Sequence, residues 1–214
     1  MAERLRQDDR RRQLIGIGLE ILATKPIHAL SVDEVAAQAG ISRGLLFHYF
    51  DTKQDYYAAV VRAAGRRLLG AAQAGPDVAA ERQLTAIVAA FVGFVERHRE
   101  PFLAFLHGGA GGDPQIQAIY EEVRNVLTDR TLAAAGVAAS PATRLAVRGW
   151  WSLVESLAVD HAGQPSAPVT TEAPATTEAQ VTTGAQVTTE ALVSYAVDAL
   201  PGLLAGLDRL ASPA

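Results

Sequence analysis

Apolar residues recur at spacings of three and four along most of the chain, and no convincing stretch alternates with the period of two that a strand needs. The pattern therefore predicts an all-α protein. A first helix is expected over about residues 5–24, with Leu14, Ile17, Ile21 and Leu22 inward and Gly18 allowing close approach. A second helix follows Ser31 and carries Val32, Val35, Ala36 and Ala39 on one face. Ser31 and Glu34 have the spacing of a capping box. Gly40 supplies the left-handed residue that ends this helix, and Ile41 packs beneath the turn. Ser42 caps a short third helix whose buried side is Leu46 and Phe50. Thr52-Lys53-Gln54-Asp55 starts a fourth, expected to reach about Ala72.

Beyond the break at Gly75-Pro76-Asp77, helices are expected over about 78–98, 114–135, 141–161 and 189–210. A short segment, Phe102 to Leu106, and a glycine-rich loop, His107 to Asp113, lie between the first two of these. Pro201 is expected to bend or break the last helix. Residues 169–192 depart from the pattern as four copies of a Thr-Thr-containing hexamer. Six is not a helical period, and the repeats lack the apolar density to offset the entropy of ordering. Residues 169–187 are therefore expected to form a mobile loop without chemistry of its own, a partner-binding role being the alternative. Only the last copy runs into apolar helical sequence, so Thr188 or Thr189 is the expected cap.

At 214 residues the chain can bury one sizeable core, or a small domain joined to a larger one. It has no cysteine, its first residues are charged with no apolar signal segment after them, and the most apolar run, Leu84 to Val95, is short for a membrane span. These features lead to the expectation of a cytoplasmic protein that does not enter a membrane. The net charge of −4 is unevenly spread. Residues 1–53 hold eight Lys/Arg against seven Asp/Glu, and the remainder eleven against sixteen. An anionic partner for the N-terminal portion would thus depend on local placement of cations.

That placement is found around Ser31–Phe50, where a helix, a glycine turn and a second short helix have the layout of a DNA-reading helix-turn-helix. Glycine-joined helix pairs also occur in helical proteins with no DNA partner. Two neighbouring features favour DNA: the arginine-rich arm Arg4, Arg6, Arg10, Arg11 and Arg12, and Lys53 beside the capped start of the fourth helix. Arg43, Gly44 and Leu45 are expected at base edges, Arg43 suiting a guanine, Leu45 a thymine methyl, and Gly44 letting the backbone approach. Ser42, His48, Tyr49 and Lys53 are expected on phosphates, with Ser31 in the same role.

The stretch from about residue 12 to 57 resembles the N-terminal domain of TetR-family transcriptional regulators. The resemblance is carried by Leu14 to Leu22, Ser31, Ala39-Gly40-Ile41-Ser42, Leu46-Phe47-His48-Tyr49-Phe50 and Thr52-Lys53. Pro26 stands where the family usually has glycine, and Phe47 replaces the usual tyrosine, which removes a hydroxyl from the phosphate-facing set. The resemblance implies a helix-turn-helix DNA-binding domain, residues 1–52, joined to a helical ligand-binding and dimerisation domain, residues 53–214. It also implies a small-molecule effector that shifts the fourth helix, and a dimer built as a four-helix bundle.

Other chemistry finds little support. The glycines at 108–112 lack the spacing of a phosphate-binding loop, the five histidines lack metal-ligand spacing, and no serine has a nucleophile's context. No enzyme, metal or cofactor is expected. Glu121 and Glu122 are adjacent on a helix and expected in solvent. Candidates for an effector pocket are Phe91, Phe94, Phe102, Phe105, Tyr120, Trp150, Trp151 and Glu155, with His98 and His107 as further polar groups. Aromatics at helical spacing are also ordinary core. Val147, Trp151, Val154, Leu157 and Ala158 form one stripe, and Leu192, Tyr195, Leu203 and Leu207 another. Each stripe can face a second subunit or its own core.

Dimerisation has an independent ground, because one short reading helix makes few base contacts. Two copies about 34–36 Å apart read successive major grooves of a near-palindrome. The expected protein is a homodimeric repressor of a near-palindromic double-stranded DNA operator, released by a small molecule. The alternatives are a helical ligand-binding or scaffolding protein with an unused motif, and a DNA-binding regulator without an effector.

Overall fold

The computed structural model describes residues 2–22, 25, 30–75, 78–100, 102–103, 106, 113–164 and 187–211. Among them eight long or motif-forming helices occur and no strand. They are α1 (Ala2–Leu22), α2 (Val32–Gln38), α3 (Arg43–Tyr49), α4 (Lys53–Ala71), α5 (Ala80–Arg97), α6 (Pro114–Ala134), α7 (Pro141–Ala162) and α8 (Thr189–Ala211). Short side chains fix most of the starts. Ser31, Ser42, Thr52, Ser140 and Thr188 each accept the amide three residues on. Thr188, not Thr189, therefore caps α8, which leaves the Thr189 hydroxyl to donate to Glu96 at 2.6 Å.

The capping box expected of α2 is only half formed. Ser31 Oγ accepts the Glu34 amide at 3.5 Å, but the Glu34 carboxylate turns away to the Lys25 ammonium at 2.8 Å. A charged partner outcompetes a backbone amide there. Pro201 does not break α8 either. It is exposed, and buried Leu192, Val193, Ala196 and Leu200 hold the helix against the core through the missing hydrogen bond. Pro26, Phe105, His107 and the repeat segment 169–186 lie outside the described residues.

Two apolar clusters divide the chain. The first joins α1, α2, α3 and the first half of α4, around Leu14, Val35, Leu46, Phe50, Tyr56 and Val60. Its tightest contact is at Gly18, where a Cβ would stand 2.5 Å from the Tyr56 hydroxyl and 2.6 Å from a Val60 methyl. Tyr56 donates to the Leu14 carbonyl at 2.9 Å, and burial raises its phenol far above the usual value, so it stays a donor. The second cluster is gathered from α5, α6, α7, α8 and the end of α4.

Helix α4 belongs to both clusters and also packs Ala58 and Val61 against Ile116 and Ile119 of α6. At its far end the Arg130 guanidinium of α6 donates to the Leu69 and Ala72 carbonyls, the latter at 2.9 Å. A cation on the last carbonyls of a helix is favourably placed against its dipole.

Candidate nucleic-acid interface

The reading head is built around the turn between α2 and α3. Gly40 has φ of +64°, its amide donates to Ala37 and the Ile41 amide to Ala36, which is the double closure of a Schellman turn. Ile41 is half-buried against the N-terminal cluster. This geometry fixes the direction of α3, and Leu46 pins it from beneath.

The opposite face of α3 is open. Ser42, Arg43, Gly44, Leu45 and His48 are exposed, Tyr49 and Ser31 are half-buried, and Lys53 is exposed on the next helix. The expected site residues are thus brought to one side of the fold's first domain. Two of them are already committed to structure: the Ser31 and Ser42 hydroxyls accept helix amides. Their hydroxyl protons remain for a phosphate oxygen. Lys53 has its ammonium 5.0 Å from the Tyr57 ring centre.

Sequence reasoning missed the partner of Arg43. Its Nη1 donates to both carboxylate oxygens of Asp33 on α2, at 3.2 and 3.3 Å, and the guanidinium lies 5.7 Å from the Phe47 ring centre. The arginine-rich arm is a helical extension of α1. Within it, Arg12 pairs with Asp9 and Arg10 donates to Gln13, while Arg11 lies 4.8 Å from the Phe50 ring centre.

Behind the reading head, a polar cleft of about 390 Å³ separates it from α6, lined in part by Arg11, Tyr49, Asp55, Arg62 and Gln115. Asp55 lies below the ordinary carboxylate value, chiefly because the Thr52 hydroxyl donates to it, and Gln115 of α6 adds to the effect.

Most of the aromatic pocket candidates are core. Phe91, Phe102, Trp150 and Trp151 are buried and meet edge to face, with ring centres 5.0 to 5.8 Å apart. Both indoles are satisfied internally, Trp150 by the Ala196 carbonyl at 2.7 Å and Trp151 by Thr131 at 3.1 Å. Phe94 is half-buried and stacks on His98, which is tied to its own helix end.

Tyr120 donates to the buried Glu155 at 2.8 Å, and Arg124 donates to Tyr120 while its guanidinium stands 3.8 Å from the same carboxylate. Burial is the main cause of Glu155 lying above the ordinary carboxylate value, with Arg124 opposing it. Glu121, expected in solvent, accepts from Arg148 at 2.5 Å, whereas Glu122 is exposed.

The stripe on α7 also turns inward. Val147, Trp151, Val154 and Ala158 face their own subunit, as does Leu192 of α8. The outward sides of α7 and α8 instead expose Leu145, Tyr195 and Leu203, which are 67, 61 and 44 % accessible. Leu207 lies where side chains are not described.

Comparison with known proteins decides the family. The N-terminal model of the bacterial regulatory proteins of the tetR family matches residues 14–60, and a tetracycline-repressor-like C-terminal domain matches 80–187. The chain belongs to the TetR family of bacterial regulatory proteins.

A TetR-family regulator from Streptomyces coelicolor shares the fold with a TM-score of 0.73 and 27 % identity, over 95 % of this chain and 83 % of that one. The transcriptional activator FasR of Mycolicibacterium smegmatis is 31 % identical over 59 % of this chain and 58 % of its own. The regulator BetI of Escherichia coli is 37 % identical over 38 % of this chain and 44 % of its own. The chain thus spans about half the length of these two relatives. No helix among the described residues is long and apolar enough to cross a membrane.

Proposed function

We propose that the protein is a homodimeric repressor that binds a near-palindromic double-stranded DNA operator and is released by a small-molecule effector. The observation that carries this reading is the open face of α3, where Arg43, Gly44, Leu45 and His48 stand exposed on a helix fixed from below by Leu46. Arg43 and Leu45 read bases, while Ser31, Ser42, His48, Tyr49 and Lys53 bind phosphates. The division at residue 52/53 keeps its functional sense, with α4 as the shared element. A regulator of this kind works in the cytoplasm and needs no enzymatic activity.

The second subunit docks on the outward face of α7 and α8, because Leu145, Tyr195 and Leu203 form an apolar surface left without cover in one chain. The effector contacts fall to the half-buried candidates Phe94 and Tyr120 and to Glu155; Phe91, Phe102, Trp150 and Trp151 shape the wall behind them.

Selection of duplexes from a random library on the full-length protein, with the mass of the complex by light scattering, tests the reading. An enriched near-palindrome bound by two chains supports it; no enrichment, or one chain per duplex, overturns it. The match to an activator favours a second reading, in which binding raises transcription. Transcription in vitro from a promoter carrying the selected duplex separates the two by the sign of the change. A thermal-shift panel of small molecules tests the effector, since any ligand of the folded state raises the melting temperature.

A further inference from the structure

The base-reading role of Arg43 leaves unexplained why an exposed carboxylate stands beside it on a surface meant for an anion. Asp33 lies in the first turn of α2 and Arg43 opens α3, ten residues on, so the pair spans the Gly40 turn. Both side chains are more than three-fifths exposed. An ion pair this wet contributes little to stability. Its geometry is more telling: only Nη1 is engaged, by both carboxylate oxygens, and no described residue accepts from Nε or Nη2. A guanine is read by two parallel donors from one edge of the fork. With Nη1 held, that edge is Nε–Nη2, and the Phe47 ring bounds the guanidinium as well.

We infer that Asp33 is a specificity-determining residue of the reading head. It holds Arg43 in the orientation that presents the Nε–Nη2 edge to a guanine, and its negative charge keeps the guanidinium from settling on a phosphate of an arbitrary sequence. The inference rests on the DNA-reading function proposed above. Asp33 touches no base in this role; it acts through Arg43.

The test compares the selected duplex with a scrambled duplex of the same length, across a salt series. Asp33→Asn, nearly isosteric, should lower the ratio of the two affinities by at least about fivefold, the low end of one bidentate base contact. On the scrambled duplex it should steepen the log–log salt dependence by about 0.9, one added phosphate contact. Asp33→Glu should restore part of the ratio, and in an Arg43→Ala background Asp33→Asn should leave the ratio unchanged. A thermal melt of each variant confirms that α2 is intact, and Asp33→Ser, which retains a favourable residue near a helix start, replaces any variant that fails to fold. An unchanged ratio in Asp33→Asn with Arg43 present overturns this inference alone, as does an equal loss in both backgrounds. A library that yields no enriched duplex overturns the regulator reading with it.

Discussion

The aromatic core of α5 and α7 and the open face of α3 drew attention in the sequence for the same reason, a local concentration of large or charged side chains. They have opposite states of completion. In the core, Trp150 and Trp151 spend their only donors on Ala196 and Thr131, and Phe91 and Phe102 fill the space between. On α3, Arg43 keeps one edge of its fork open and Lys53 has no ion pair among the described residues. Residue type alone does not mark a site. Donors left unsatisfied on a rigid support do.

The contrast breaks most visibly at Trp151. Trp151→Ala should cost about 3–5 kcal/mol of stability, by loss of burial and the cavity left behind. Chemical denaturation reads this directly; a loss under about 1 kcal/mol would mean the core is loose enough to admit a ligand. Arg43→Ala should do the reverse, leaving the unfolding midpoint unchanged while costing about 1–3 kcal/mol at the cognate base. Equal weakening on all sequences would remove Arg43 from base reading. Lys53→Ala should weaken all duplexes alike and reduce the salt slope by about 0.9.

The smallest effect sharpens the boundary between the two regions. Glu155 is buried, and its raised pKa means that the unfolded chain gives up this proton first. Its contribution to stability is therefore lost as pH rises from about 4.5 through the higher folded value. Glu155→Gln should abolish that part of the pH dependence, so urea midpoints of the two proteins should shift in the variant's favour between acid and neutral pH. A constant difference would show Glu155 already ionised in the folded state across that range.

Much of the fold was legible because local rules carry it. Ser31, Ser42, Thr52 and Ser140 mark helix starts by chemistry that acts over three residues, and Gly40 marks a turn only a positive φ can close. Periodicity also identified the buried faces of α1, α2 and α7. It was silent on what those faces meet, so the α7 stripe was equally readable as a dimer surface. The partners of Arg43, Glu34, Glu121 and Arg130 were not legible either. Their contacts span 9 to 61 residues and depend on how helices cross, which no local pattern encodes. The unpaired look of Asp33 beside a recognition helix was the one available hint.

The close contact at Gly18 makes α4 a lever. Its 19 residues extend about 28 Å at 1.5 Å per residue. One end is locked into the reading head through Tyr56 and Val60, and the other is held by Arg130. A tilt of about 10° about the held end carries the reading head some 5 Å, roughly one helical pitch. Set against a groove repeat of about 34–36 Å, doubling that displacement across a dimer puts the second reading helix out of register with its half-site. The gearing is such that a small rotation, costing little in the packed core, becomes a large error in pitch at the DNA.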